Sequence, residues 1–185
     1  MAGHSKWAQI KRQKGVTDAA KSRIFSRFAR LLAIESKKAG GNAAAPGLAA
    51  AISRAKAVNM PKDNIERAIA KGASKDDGAL EQVLYEAYGP GGCALIIDAL
   101  TDNKNRTTQE IKHLLSKNGI ELAAQGSASW AFRRLPEGGY EPNEPLMELA
   151  EGDAEGLGAL FDALDEHDDV QRVYTNARGY ENTGD

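Results

Sequence analysis

Residues 82–107 read QVLYEAYGPGGCALIIDALTDNKNRT, and the change of pattern within them decides the fold class. Gln82 to Tyr88 and Cys93 to Leu100 are two strand-length runs joined by Gly89-Pro90-Gly91-Gly92, a connection whose glycines permit positive φ. The second run is apolar on both faces except at Asp98, which predicts a central strand. A helix follows. Thr107 with Glu110 fits a capping box, Ile111, Leu114 and Leu115 recur at helical spacing, and Asn118-Gly119 supplies a stop. The glycines at 89, 91 and 92 do not make a phosphate loop: the GxGxxG register is absent, no GK[ST] follows, and the next element is a strand.

Working outward, Ser127 to Phe132 fits a third strand, and Leu135 to Pro145, with three prolines, reads as loop or edge. Leu157, Leu160, Phe161 and Leu164 mark another helix, and Val170 to Tyr174 a last strand. Upstream the period is helical throughout. Ile24, Phe25, Phe28, Leu31 and Leu32 define one helix stopped by Gly40-Gly41; Pro46 opens a second with Leu48, Ile52, Ala55 and Val58; Pro61 opens a third with Ile65, Ala68 and Ile69, closed by Gly72. Ser74 to Ala79 reads as a linker. The expected class is α+β: an N-terminal three-helix module with a basic arm over 1–75, then an α+β module over 80–185 with helices packed on one mainly antiparallel sheet.

Charge divides along the same line. Residues 1–75 hold ten Lys and six Arg against Asp18, Glu35, Asp63 and Glu66, a net +12, so the remainder must carry −14 to reach the total of −2. A polyanion responds to the field within about 8 Å at physiological salt, not to the formal sum. The first module is therefore the part suited to a nucleic acid. At 42% hydrophobic and 27% charged residues the chain can bury a core, and no apolar run approaches the roughly 20 residues of a bilayer span. A soluble, cytoplasmic protein with no membrane partner is expected. The N-terminus lacks the apolar middle of a secretory signal; a mitochondrial presequence is the alternative for the basic residues 1–30, opposed by a bias that runs on to Lys71. Cys93, the single cysteine, sits in an apolar run and reads as a small core residue.

On the first helix, setting Arg23 at 0° and advancing ~100° per residue places Arg27 near 40°, Arg30 near −20° and Lys37 near −40°, beside an apolar face spanning about 80° to 200°. Such a ridge suits phosphate contacts, with Lys21 and Lys38 on the same helix and Lys6, Lys11, Arg12 and Lys14 in the arm. A merely solvated face is the competing reading. Trp7, among these cations, suits either base stacking or stapling the arm to the domain. Thr101 to Thr107 leads into a helix start, where Lys104 and Arg106 would meet a phosphate, or where Asn and Asp side chains simply cap. Asp162, Asp165, Glu166, Asp168 and Asp169 read as a solvated acidic face, because their spacing fits no calcium loop. His4, His113 and His167 with one Cys make no zinc set. No catalytic triad, metal, cofactor or small-molecule substrate is indicated. The enzyme or ligand-binder alternative requires a deep pocket near Asp98 and Asn103.

Four blocks, MAGHSKWAQIKRQKG at the start, KAVNMPKDNIERAIAKG at 56–72, YEAYGPGGCALIIDALTDNKNRT at 85–107 and DDVQRVYTN at 168–176, resemble the YebC/PmpR family. The resemblance implies a helical N-terminal domain followed by two α+β domains, no catalytic activity, and a role in gene expression. Bacterial relatives of this kind are DNA-binding transcriptional regulators; others are translation activators acting on the ribosome and its RNA. The chain departs from that pattern: where the family has a further α+β domain, only a short connection from Arg133 to about Pro145 is present.

Overall fold

A computed structural model describes residues 18–74, 80–136 and 138–180. The described residues within 16–81 and 100–102 form one compact unit, and those within 82–99 and 103–185 form another.

The helical unit contains α1 (Asp18–Lys38), α2 (Pro46–Ala57) and α3 (Lys62–Ala73). Pro46 at the first turn of α2 and Pro61 just before α3 fix the chain where an amide would have no helical partner. Leu32, Leu48, Ala51, Ala55, Met60, Ile65 and Ala68 form the core, with Phe25, Phe28, Leu31, Ile52 and Ile69 packed around it. Each large side chain buried this way contributes roughly 1.5–3 kcal/mol. Gly72 does not close α3 as its position suggested; the helix runs on to Ala73. It is the point of closest approach to α1, where an added Cβ would lie 2.7 Å from both Cα and C of Ala33, and closer still to its carbonyl oxygen. About one turn further along α1, Ser36 Oγ donates to the Ile69 carbonyl at 2.7 Å.

The second unit is a four-stranded sheet in the order β3-β1-β2-β6, from β1 (Glu81–Tyr88), β2 (Ala94–Thr101), β3 (Leu122–Ala123) and β6 (Val170–Thr175), with α4 (Lys104–Lys117) and α5 (Glu151–Asp165). The 89–92 turn closes with Gly89 N–H on the Cys93 carbonyl, and Gly91 and Gly92 adopt φ of 67° and 83°. Val83, Tyr85, Leu95 and Ile97 on one face of the sheet pack with Ile111, Leu115, Leu157, Leu160 and Leu164 of the two helices. On the opposite face Ala94, Ile96 and Tyr174 meet Ala128, Ala131 and Phe132. Cover on both sides is why β2 is apolar on both faces.

Two sequence expectations fail locally. Ser127 to Phe132 is not a strand of the main sheet: Ser129–Ala131 is a 3-10 turn, and β4 (Phe132–Arg134) pairs with β5 (Tyr140–Pro142) in a separate two-stranded ribbon. The strand flanking β1 is instead the two-residue β3, too short to carry an alternating pattern. Helix α4 begins at Lys104, with Asn103 as its cap accepting from Arg106 N–H, so Thr107 lies inside the helix and the proposed box is not its start.

A buried carboxylate on β1 holds the 124–129 loop. Glu86 accepts from the backbone N–H groups of Gly126 at 2.7 Å, Ala128 at 2.6 Å and Ser129 at 2.9 Å. Glu86→Ala leaves these donors without their acceptor and is expected to cost about 2–4 kcal/mol in urea unfolding. Glu86→Gln, which keeps one acceptor, should cost less; equal stability of all three proteins would contradict the arrangement.

Candidate nucleic-acid interface

Helix α1 presents its cations unevenly. Lys21, Lys37 and Lys38 are exposed, whereas Arg23, Arg27 and Arg30 are half-buried, with Arg27 and Arg30 engaged in further interactions. Ile34, near 20° on the same wheel, is buried within the basic stripe, so an apolar side chain interrupts the ridge. Lys38 Nζ pairs with Glu35 Oε1 at 2.7 Å, an exposed pair worth little, which partly neutralises this cation. Lys6, Trp7, Lys11, Arg12 and Lys14 lie outside the described residues, as do residues 75–79 of the linker.

Within the helical unit a cleft of about 260 Å³ is lined by Arg30 and Lys37 of α1 and Lys71 of α3, with Ala33, Ile34, Gly72, Ser74 and Leu80; Asp102 lines it too. Three cations against one carboxylate leave a positive concavity that suits a phosphate group. The close α1–α3 contact at Gly72 is what brings Lys71 to Arg30 and Lys37. The sequence reading missed Lys71, whose only signal was its place in the last turn of α3. On α2, the Arg54 guanidinium stands 5.7 Å from the Phe28 ring centroid, within reach of a cation–π contact.

Arg106 is engaged within the protein, though its side chain is partly exposed. Its Nη2 pairs with Asp169 Oδ2 at 2.9 Å, and Thr107 Oγ1 donates to the same oxygen at 2.6 Å. Asp169 is buried, which removes it from the supposed solvated acidic face. Glu110 adds a longer contact, Nε to Oε2 at 3.8 Å, and His167 Nε2 lies 3.1 Å from that oxygen. The Asp169 N–H donates to His167 Nδ1, so Nε2 carries the proton of the neutral ring and donates to Glu110. Glu110, His167 and Asp169 have the geometry of a metal trio, but the Arg106 guanidinium already sits on both carboxylates. The group ties α4 to the turn before β6. Lys104 remains exposed at the first turn of α4.

Asp98 accepts from Gln82 Nε2 at 2.9 Å, and Asn103 caps α4, so both residues named for a ligand pocket have structural work. Burial pushes the Cys93 thiol up, partly opposed by hydrogen bonds from Thr175 and the backbone, as befits a core residue.

Together these features define an α+β protein with a cationic helical unit. Residues 5–75 match the TACO1/YebC protein N-terminal domain, and residues 80–137 match the TACO1/YebC second and third domain. A probable transcriptional regulatory protein of Petrotoga mobilis is 48% identical over 173 residues, covering 89% of this chain and 69% of the relative. One of the same description from Kosmotoga olearia is 38% identical over 236 residues, covering 95% and 94%. The crystal structure of a conserved hypothetical protein, Aq1575 from Aquifex aeolicus, superposes with a TM-score of 0.78 at 28% identity, covering 90% of this chain and 96% of that one. This chain belongs to the TACO1/YebC family. The Kosmotoga alignment runs over 236 positions against 185 residues here, so at least 51 of its positions carry no residue of this chain.

Proposed function

We propose that this chain is a non-enzymatic, nucleic-acid-binding regulator of gene expression acting in the cytoplasm, with DNA as the partner and the helical unit as the gripping surface. The observation that carries the reading is the separation of +12 in residues 1–75 from −14 in the rest, combined with the cleft where Arg30, Lys37 and Lys71 converge. Lys21, Arg23 and Arg27 extend that surface along α1, and Lys6, Trp7, Lys11, Arg12 and Lys14, outside the described residues, are proposed as further contacts on the strength of the sequence. Lys38 and Arg106 contribute less, being paired with Glu35 and Asp169. The name carried by the relatives, probable transcriptional regulatory protein, supports a regulator. Among the described residues no helix is long and apolar enough to cross a membrane. The positions absent against the longer relatives correspond, on this reading, to a further α+β domain replaced by the connection from Arg133 to about Pro145.

Contacts of this kind position a protein without reading sequence, and each releases counterions from the duplex. With about six phosphate contacts, log K against log salt should fall with a slope near −5. Anisotropy of a labelled duplex titrated from low to moderate salt measures it; a slope near zero would overturn phosphate gripping.

A translation activator bound to ribosomal RNA would use the same face, and the exposed indole of Trp130 favours it. Sedimentation of the protein with ribosomes, with and without nuclease, separates the two readings. Protein that stays at the top of the gradient excludes the ribosomal one.

A further inference from the structure

We infer that Trp130 is a stacking platform for an unpaired base of single-stranded nucleic acid, a second contact that rests on the proposed nucleic-acid function but lies in the α+β unit. The residue is 67% exposed, the most open large hydrophobic side chain among the described residues, and Tyr88 beside it is 40% exposed. An exposed indole is ordinarily free to move. This one is fixed at both ends. Its Nε1 donates to Tyr88 Oη at 3.1 Å, and the Tyr88 hydroxyl in turn donates to the Ser127 carbonyl. Its own carbonyl accepts from Asn143 Nδ2 at 3.0 Å, while the Asn143 N–H donates to the neighbouring Ala131 carbonyl at 2.8 Å. Glu86 anchors the same turn from below through the amides of Ala128 and Ser129.

The polar edge of the ring is thus satisfied within the protein, and what remains for a partner is the π-face. An aromatic face held in place gains stacking energy without the entropy cost of ordering it, and every base offers a matching face. A paired duplex does not, because its bases are stacked on each other. Two features select a nucleic acid over an apolar protein surface. The patch is narrow, two aromatic rings amid polar Ser127 and Asn143, and β4 immediately downstream carries Arg134, exposed and without an ion-pair partner among the described residues, as a cation for the backbone. Arg133 is already committed to Glu141, Nε to Oε2 at 2.8 Å. Trp7, the aromatic that the sequence offered for stacking, lies outside the described residues; Trp130 is a second candidate, which the sequence reading did not name.

The test compares the full chain with Trp130→Ala and Trp130→Phe, using anisotropy of a labelled single-stranded oligonucleotide and of a duplex of the same length. Because the ring is exposed, both variants should fold, which circular dichroism checks. Trp130→Ala should weaken single-strand binding by roughly tenfold or more and leave duplex binding unchanged, while Trp130→Phe, which keeps a π-face, recovers most of the loss. Equal affinity of Trp130→Ala and the parent for the single strand, or an equal loss on both probes, overturns the platform; retained duplex binding in that case leaves the proposed function standing. Parent protein that binds neither probe overturns both. A self-association, seen in sedimentation equilibrium, that disappears in Trp130→Ala overturns it in favour of a contact between copies.

Discussion

Replacing Arg23, Arg27 and Arg30 together with glutamate is expected to lower affinity for either DNA or RNA by at least about 100-fold at physiological salt. Three cations of the proposed interface become anions, a change of six charge units on one helix, so attraction is lost and repulsion takes its place. The half-burial of these side chains bears on the design of the experiment. Arg27 and Arg30 make other interactions, so glutamates there disturb α1 as well as its field. The triple glutamine variant keeps comparable length without charge. It should retain the thermal melt of the parent and bind at an intermediate level, with a salt slope shallower by about 2.7. A glutamate variant that melts as the parent does and binds equally well would refute the role of α1.

The second large effect concerns Gly72. A methyl group at this position meets backbone of α1 rather than a flexible side-chain end: Ala33 Cα and C lie 2.7 Å from the added Cβ. Backbone in a packed helix cannot give by that much, so α1 and α3 must separate around a core that includes Leu32, Ile65 and Ala68. Helix propensity pulls the other way, favouring alanine by up to about 1 kcal/mol. The clash should win. Gly72→Ala is expected to cost about 2–3 kcal/mol net, and Gly72→Val to unfold the helical unit. Loss of nucleic-acid binding should accompany unfolding, since Lys71 no longer faces Arg30 and Lys37. A thermal melt of Gly72→Ala that matches or exceeds the parent would contradict the close contact.

What the sequence made legible follows from which interactions are local. The three N-terminal helices, the 89–92 turn, β1, β2, α5 and β6 each carry their own period or stop signal, and all are present. The 127–132 segment was misread because its apolar residues Ala128, Ala131 and Phe132 serve as a cover for the sheet's second face, a tertiary task with no backbone period. Asn103 outcompeted Thr107 as the cap of α4, and Thr107 was free to bond Asp169, some sixty positions away in the chain. No spacing rule joins those two residues. The same holds for Arg106, Asp169 and Glu86, whose partners come from elsewhere in the fold. On the proposed interface, the arginines of α1 were visible as a stripe, but their partial burial and the convergence of Lys71 depend on a helix crossing with no local signal, since Gly72 reads in sequence as a helix stop. Trp130 looked like a strand residue, and its exposure emerges only once the turn is in place.

The most direct test of the central claim is ultraviolet crosslinking of the intact protein to its bound nucleic acid, with the attached peptides identified by mass spectrometry. The account predicts crosslinked peptides from residues 1–75, including the segment 21–38, whatever else is recovered. Crosslinks confined to residues 80–185, or none under conditions where binding is measured, would contradict it.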